Sequence, residues 1–153
     1  MALLSWNIVS PMEYTPGEEI SFSLHFEAPV AGRYYLLGAL YIDIYHPPST
    51  IFGVRNGVND PAYTSVWELG AAEAVDLPCR FMLDRTNCLL ALFLMRMAGD
   101  EVNLDGDEKI AQVQAQLAAP VPEKQIMQTV VPIVGGVMLL GLVAVTMHTM
   151  FKE

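Results

Sequence analysis

The strongest constraint in this sequence is an apolar run near its end, from Val130 to Met147, that contains no charged residue. As an α-helix rising about 1.5 Å per residue it would span roughly 27 Å, close to the ~30 Å hydrocarbon core of a bilayer. Pro132 lies in the first turn, where a missing N–H costs little, and glycines are common in membrane helices. The sequence therefore predicts one transmembrane helix over residues 129–151. The residues chosen to represent this anchor are Val130, Pro132, Gly136, Leu140, Gly141 and Met147.

The residues around this run indicate how the chain would meet a membrane. Residues 119–128 are rich in proline and then polar, which is typical of a linker between a domain and its anchor. Basic residues are too few on either side for the positive-inside rule to fix an orientation. The first residues lack the basic and apolar regions of a secretory signal peptide, so we expect the preceding domain in the cytoplasm or inside a virion. A helix buried in a protein assembly is the alternative to a membrane span.

The first 118 residues are predicted to form short β-strands separated by turns. Residues 20–27 and 110–117 alternate strictly between apolar and polar side chains, which is typical of half-buried strands. Further strands are predicted at residues 3–9, 33–45, 63–69, 75–83 and 88–97. The proline-rich and glycine-rich stretch 46–61 is predicted as a loop. About seven strands at hairpin spacing, with no amphipathic helix between them, indicate an all-β sandwich.

The order of turns and strands resembles a known class of module. A Pro-Gly-Glu turn precedes the first alternating strand in residues 14–26, YTPGEEISFSLHF, and an acidic loop precedes the last strand within residues 99–117. This layout resembles the immunoglobulin-like adhesion-type modules of bacteria and archaea, and it covers most of residues 14–117 in outline. The resemblance implies an immunoglobulin-like β-sandwich, which we place at residues 1–118, and it implies no catalytic residues.

Composition excludes several classes of partner. The chain is 53% hydrophobic and 16% charged, and its formal net charge is −9 at pH 7. An acidic domain with no cluster of Lys or Arg argues against binding of nucleic acid and against a polybasic lipid-binding surface. We therefore expect membrane lipid as one partner and a second copy or another protein as the other.

No group of residues has the spacing of a catalytic or metal site. In the acidic stretch 101–112, Glu101, Asn103 and Asp105 match the first ligands of a calcium loop, but Gln112 stands where a bidentate Glu is needed. A solvated Asp-Gly turn is therefore predicted here. The histidines and serines are scattered, without metal or nucleophile spacing. We expect no enzyme activity, no cofactor, no metal and no small-molecule substrate.

Two cysteines, Cys79 and Cys88, are too few for a disulfide scaffold. If residues 84–87 form a four-residue hairpin turn, the two sulfurs share a face but lie too far apart to bond. We therefore predict two buried free thiols, which fits a reducing compartment.

Two predicted strands are apolar on both faces, although a strand in a sandwich buries only one. Residues 88–97 alternate between two apolar sets, and one face of residues 33–45 is unusually aromatic. Exposed aromatic and aliphatic stripes mark protein interfaces, whereas coverage of these faces by the linker or the long loop is the alternative. The predicted interface residues are Tyr35, Tyr41, Tyr45, Leu90, Leu92 and Leu94.

These observations predict a non-enzymatic, membrane-anchored β-sandwich that acts as a structural or assembly component. A virion or another large complex with a lipid layer would suit such a chain. The alternative is a tail-anchored adaptor that presents the sandwich to a soluble partner. A third class, a calcium-dependent adhesion module that uses the acidic loop, is disfavoured by Gln112.

Overall fold

The computed structural model describes residues 2–121. Within this range no helix is long and apolar enough to cross a membrane. The predicted anchor, with Val130, Pro132, Gly136, Leu140, Gly141 and Met147, and most of the predicted linker lie outside the described residues. The membrane span therefore stays a prediction from the sequence.

The described part of the chain is mainly β. Its strands are β1 (Leu4–Trp6), β2 (Met12–Glu13), β3 (Glu19–Glu27), β4 (Gly32–Tyr41), β5 (Thr50–Arg55), β6 (Val58–Asp60), β7 (Val66–Leu69), β8 (Ala74–Met82), β9 (Cys88–Arg96) and β10 (Glu108–Ala118). Strand β3 shows why such segments form strands, because its apolar side chains are buried and its serines are exposed in strict alternation.

The strands form one curled, open sheet in the order β1-β3-β8-β6-β5-β4-β9-β10-β2, with β7 paired to β4 beside this path. Most neighbours are antiparallel, whereas β10 pairs with β2 and β6 pairs with β8 in parallel. The curl lets β1, β3 and β8 supply one side of the core while β4, β5, β9 and β10 supply the other. A single hydrophobic cluster results.

Aromatic rings fill the centre of this cluster. Phe81 is fully buried, and its ring meets Phe22 at 4.9 Å and Phe52 at 5.5 Å in edge-to-face geometry. Tyr14 connects two distant parts of the chain. Its hydroxyl donates to the carbonyl oxygen of Leu83 at 2.6 Å and accepts the Leu83 N–H at 2.8 Å. These contacts join strands that lie far apart in the chain, so the two sides of the core are fixed relative to each other.

The structure corrects three predictions about the strands. The predicted strand 33–45 ends at Tyr41, because Asp43 accepts the backbone N–H groups of Tyr45 and His46 and so turns the chain. The predicted loop 46–61 contains the hairpin of β5 and β6, with Asn56 and Gly57 at its turn.

The third correction concerns residues 84–87, which do not form a hairpin turn. Strand β8 pairs with β3 and β6, whereas β9 pairs with β4 and β10. The chain therefore crosses from one side of the core to the other between β8 and β9.

Candidate interaction surface

The surface of interest is the face of β4 and β9 that points away from the core. The register places Tyr35 opposite Met95, Leu37 opposite Phe93, Ala39 opposite Ala91 and Tyr41 opposite Leu89. Cross-strand partners share a face, so these eight side chains form one apolar surface. The partner residues on β10 are polar, since Gln112, Gln114 and Gln116 continue the same rows.

The three leucines of β9 that were predicted to form an interface lie on the opposite face. Leu90, Leu92 and Leu94 are each 0% exposed and belong to the core. The prediction for them is wrong, because β9 is apolar on both faces and its even-numbered residues are those that face β3 and β8. The outward set consists of Leu89, Ala91, Phe93 and Met95.

The three tyrosines have three different environments. Tyr35 does point outward, yet it is 0% exposed, so it is not available to a partner. Tyr41 lies at the end of β4 and is half-buried. Tyr45 is 85% exposed, but it lies in the turn beyond the strand rather than on its outer face. Only Tyr41 therefore keeps its predicted place on the outer surface.

The loop between β9 and β10 covers Tyr35. The carboxylate of Asp107 accepts the Tyr35 hydroxyl at 2.8 Å and the backbone N–H groups of Ala98 at 2.9 Å and Asn103 at 2.7 Å. The side chain of Asp107 therefore fixes the loop at both of its ends and ties it to the sheet.

These contacts also set the titration of the two groups. Desolvation raises the pKa of Asp107, but the N–H groups of Ala98 and Asn103 and the Tyr35 hydroxyl outweigh it, so this pKa lies below its usual value. Burial, followed by the hydrogen bond and the charge of Asp107, raises the pKa of Tyr35. Asp107 is thus a carboxylate and Tyr35 a neutral donor at neutral pH.

The same loop brings Val102 and Leu104 to the outer surface, where they are 40% and 48% exposed. Together with Leu37 they line a shallow groove of about 180 Å³, whose far wall is formed by residues 61–64. Gly53 lies in its floor, where a Cβ would collide with the backbone oxygen of Tyr63. Glycine is needed here because residues 61–64 cross directly over β5.

The exposed remainder of this face is an apolar patch without a covering layer among residues 2–121. We call it the outer patch, and it consists of Leu37, Tyr41, Ile51, Leu89, Phe93, Val102 and Leu104. Ile51 is 44% exposed, and the Lys109 ammonium lies 5.3 Å from the centre of the Phe93 ring. The patch is thus smaller than the sequence predicted and lies on the other set of β9 side chains.

The cysteines are buried, as predicted, and face the core from different strands. Burial raises the pKa of Cys79 to about 12. Burial also raises the pKa of Cys88, although the nearby Arg85 lowers it in part. Both side chains are therefore thiols at neutral pH and poor nucleophiles.

Within residues 2–121 no cluster of three or more His, Cys, Asp or Glu side chains is placed to hold a metal ion. The acidic loop uses its oxygens internally, since Asn103 accepts the backbone N–H of Asp105 at 3.2 Å while Asp107 binds protein donors. His25 lies 2.7 Å from Asp76, and His46 lies 2.8 Å from Asp43, in two separate exposed pairs. The acidic stretch that partly matches a calcium loop therefore has hydrogen-bonded turn geometry.

Comparison with known proteins adds no family to this description. No protein-family model matches the chain, and no curated protein matches its sequence.

Proposed function

We propose that the chain is a non-enzymatic, membrane-anchored immunoglobulin-like β-sandwich that serves as a structural component of a larger assembly. The outer patch carries this proposal, because it gathers the half-buried Leu37, Tyr41, Leu89 and Phe93 with the exposed Ile51, Val102 and Leu104 on one face of the described domain. Full burial of such a side chain from water contributes about 1.5 to 3 kcal/mol, and these partly exposed side chains gain a fraction of that on association. A surface of this kind marks a protein interface.

The strand arrangement supports the sandwich. Strands β1, β3 and β8 lie on one side of the core, and β5, β4, β9, β10 and β2 lie on the other. The first strand region is divided, so that β1 pairs with β3 while β2 pairs with β10 in parallel. Two layers of mainly antiparallel strands packed over one core are typical of immunoglobulin-like domains.

The uncharged run 130–147 supports the membrane anchor. An anchor confines copies of the domain to one surface, which raises their effective concentration and favours weak contacts between them. A virion or another large complex that contains a lipid layer is the proposed setting. Membrane lipid and a second copy of the chain are the proposed partners.

The test is the association state of the full chain, purified in a mild detergent and measured by sedimentation velocity over a range of concentrations. We expect the wild type to associate, and we expect Leu37→Gln with Phe93→Gln to weaken association at least tenfold without changing the circular dichroism spectrum. Met82→Gln is the matched control, since Met82 is 58% exposed on β8, away from the patch.

Two results would contradict the proposal. One is a wild type that stays monomeric at every concentration, which would instead favour an adaptor that binds a different protein. The other is a double variant that associates as strongly as Met82→Gln.

A further inference from the structure

Among residues 2–121, one side of strand β10 pairs with another strand only near its end, although β1 lies close to it. β10 pairs with β9 from Glu108 to Leu117, but on its other side β2 meets only Leu117 and Ala118. Among the strands that the structure describes, none pairs with the remainder of this side. An open side presents unpaired backbone N–H and C=O groups to which another strand can bind.

Neighbouring hydrogen bonds show which groups point outward. The Gln116 N–H donates to the Ser10 hydroxyl at 2.9 Å, and the Ala118 carbonyl accepts the Tyr14 N–H at 2.8 Å. Both bonds lie on the open side. Backbone groups of an antiparallel strand alternate between its two sides, so the N–H and C=O groups of Gln112 and Gln114 point to the open side too.

Beyond the bulge between Lys109 and Ala111, this edge lacks two features that prevent strand pairing, a charged residue and a proline. From Ile110 to Ala119 the sequence contains no charged residue and no proline, although the chain carries a net charge of −9. The exposed edge of β8 is different. Arg80 donates its N–H to the Gly57 carbonyl on that side, so the backbone of Pro78 faces the same way and lacks a donor there. The chain therefore protects one edge and leaves the other able to pair.

The glutamine side chains along the open edge can form hydrogen bonds with an identical row of glutamines. Gln112, Gln114 and Gln116 are exposed on one face. The Lys109 ammonium donates to the Gln112 amide oxygen at 3.0 Å, and the Gln112 amide donates to that of Gln114 at 3.3 Å. An amide both donates and accepts, so a row of glutamines can bind a second identical row.

We propose that β10 pairs edge to edge, and antiparallel, with β10 of a second copy. When the pair is centred on Val113, Gln112 lies opposite Gln114 of the second copy. The hydrogen bonds between the two strands then use only the outward N–H and C=O groups of these two residues. The contact is two-fold symmetric, neutral and distinct from the outer patch. This inference rests on the proposed function and specifies a second contact for it, since two different self-contacts on one chain extend dimers into larger arrays.

Cross-linking of the full chain tests the pairing. We expect Gln114→Cys, treated with a short bifunctional maleimide in detergent solution, to give a covalent dimer. Ser21→Cys is the matched control, because Ser21 is exposed on β3, away from β10 in the strand order. Cys79 and Cys88 are buried and contribute little background. We expect at least ten times more dimer from Gln114→Cys, and equal yields from the two variants would overturn the inference.

A second variant tests the backbone contact. Gln114→Pro removes an N–H that points to the open side and is not used in pairing with β9. The fold should therefore be kept, while the dimer loses hydrogen bonds. We expect the dissociation constant to rise at least tenfold, and an unchanged constant would overturn the inference. Sedimentation of the wild type separates the two proposals. If the wild type associates but Gln114→Cys gives no cross-linked dimer, only the β10 pairing is refuted. If the wild type is monomeric, the proposed function is refuted as well.

Discussion

At the scale of single residues, neighbours on β9 have opposite roles. Leu92 is fully buried in the core, whereas Phe93 is half-buried on the outer patch. Burial of Leu92 stabilises the fold, whereas Phe93 can be buried further only when chains associate. Substitutions at these adjacent positions should therefore separate stability from assembly.

We expect Leu92→Ala to lower the free energy of unfolding by about 2 to 5 kcal/mol, because it leaves a cavity in a packed core. Phe93→Ala should lower it by only about 1 kcal/mol, since that side chain is partly solvated in the folded chain. Urea unfolding of the two variants, followed by circular dichroism, measures both values. Equal losses would show that the two faces of β9 are wrongly assigned.

The carboxylate of Asp107 leads to a prediction that depends on pH. Its pKa in the folded protein lies below the usual value of 3.8, so its contribution to stability is complete above that value and is lost as the pH falls through the folded pKa. Asp107→Asn should therefore cost about 1 kcal/mol at pH 7, with the partly exposed site limiting the loss. The difference from the wild type should shrink in strong acid. Urea unfolding at pH 7 and at pH 2.5 measures it, and a difference independent of pH would refute the assignment.

At the scale of elements, strict alternation was sufficient to predict strands. Residues 20–27 and 110–117 were predicted from period two, and they correspond to β3 (Glu19–Glu27) and β10 (Glu108–Ala118). Strand β9 was also predicted, but its inward face was not, because both of its faces are apolar. Only the register with β4 and β10 decides which face is buried, and this register is a tertiary property.

The hairpin of β5 and β6 replaces a predicted loop, although its signal is in the sequence. Asn56 and Gly57 both have positive φ, 53° and 84°, as a two-residue type I′ turn requires, and Asn-Gly is the preferred pair for it. The prolines on both sides suggested a loop instead. The placement of Tyr35 could not be predicted, since its cover comes from Asp107, 72 positions further along the chain.

Gly57 should be the most sensitive position of this hairpin. A Cβ at Gly57 would be strained at φ 84° and would collide with the carbonyl oxygen of Pro78. We expect Gly57→Ala to lower the free energy of unfolding by about 1 to 3 kcal/mol. Gly99→Ala is the control, because nothing lies within 4 Å of its added Cβ, and it should change stability by less than about 0.5 kcal/mol. Similar losses in thermal melts of both would contradict the turn assignment.

At the scale of the whole molecule, a compact β unit, Met1–Ala119, precedes in sequence an anchor that is predicted from sequence. Leu140→Arg places a charge at the centre of the predicted span and should cost on the order of 3 kcal/mol in insertion. Partition of the wild type and the variant between liposomes and buffer measures this. A wild type that remains in the aqueous fraction without detergent would refute the anchor.

The central claim is that the outer patch is buried between copies of the assembled chain. The most direct measurement is the rate at which a water-soluble thiol reagent labels Val102→Cys in the full chain, at low and high protein concentration. Val102 is 40% exposed on the outer patch, and cysteine is close to valine in size. Met82→Cys reports on an exposed site away from the patch, and the two native thiols are buried. We expect at least tenfold slower labelling of Val102→Cys at high concentration, with Met82→Cys unchanged. Labelling of Val102→Cys at the same rate in associated and dispersed protein would contradict the claim.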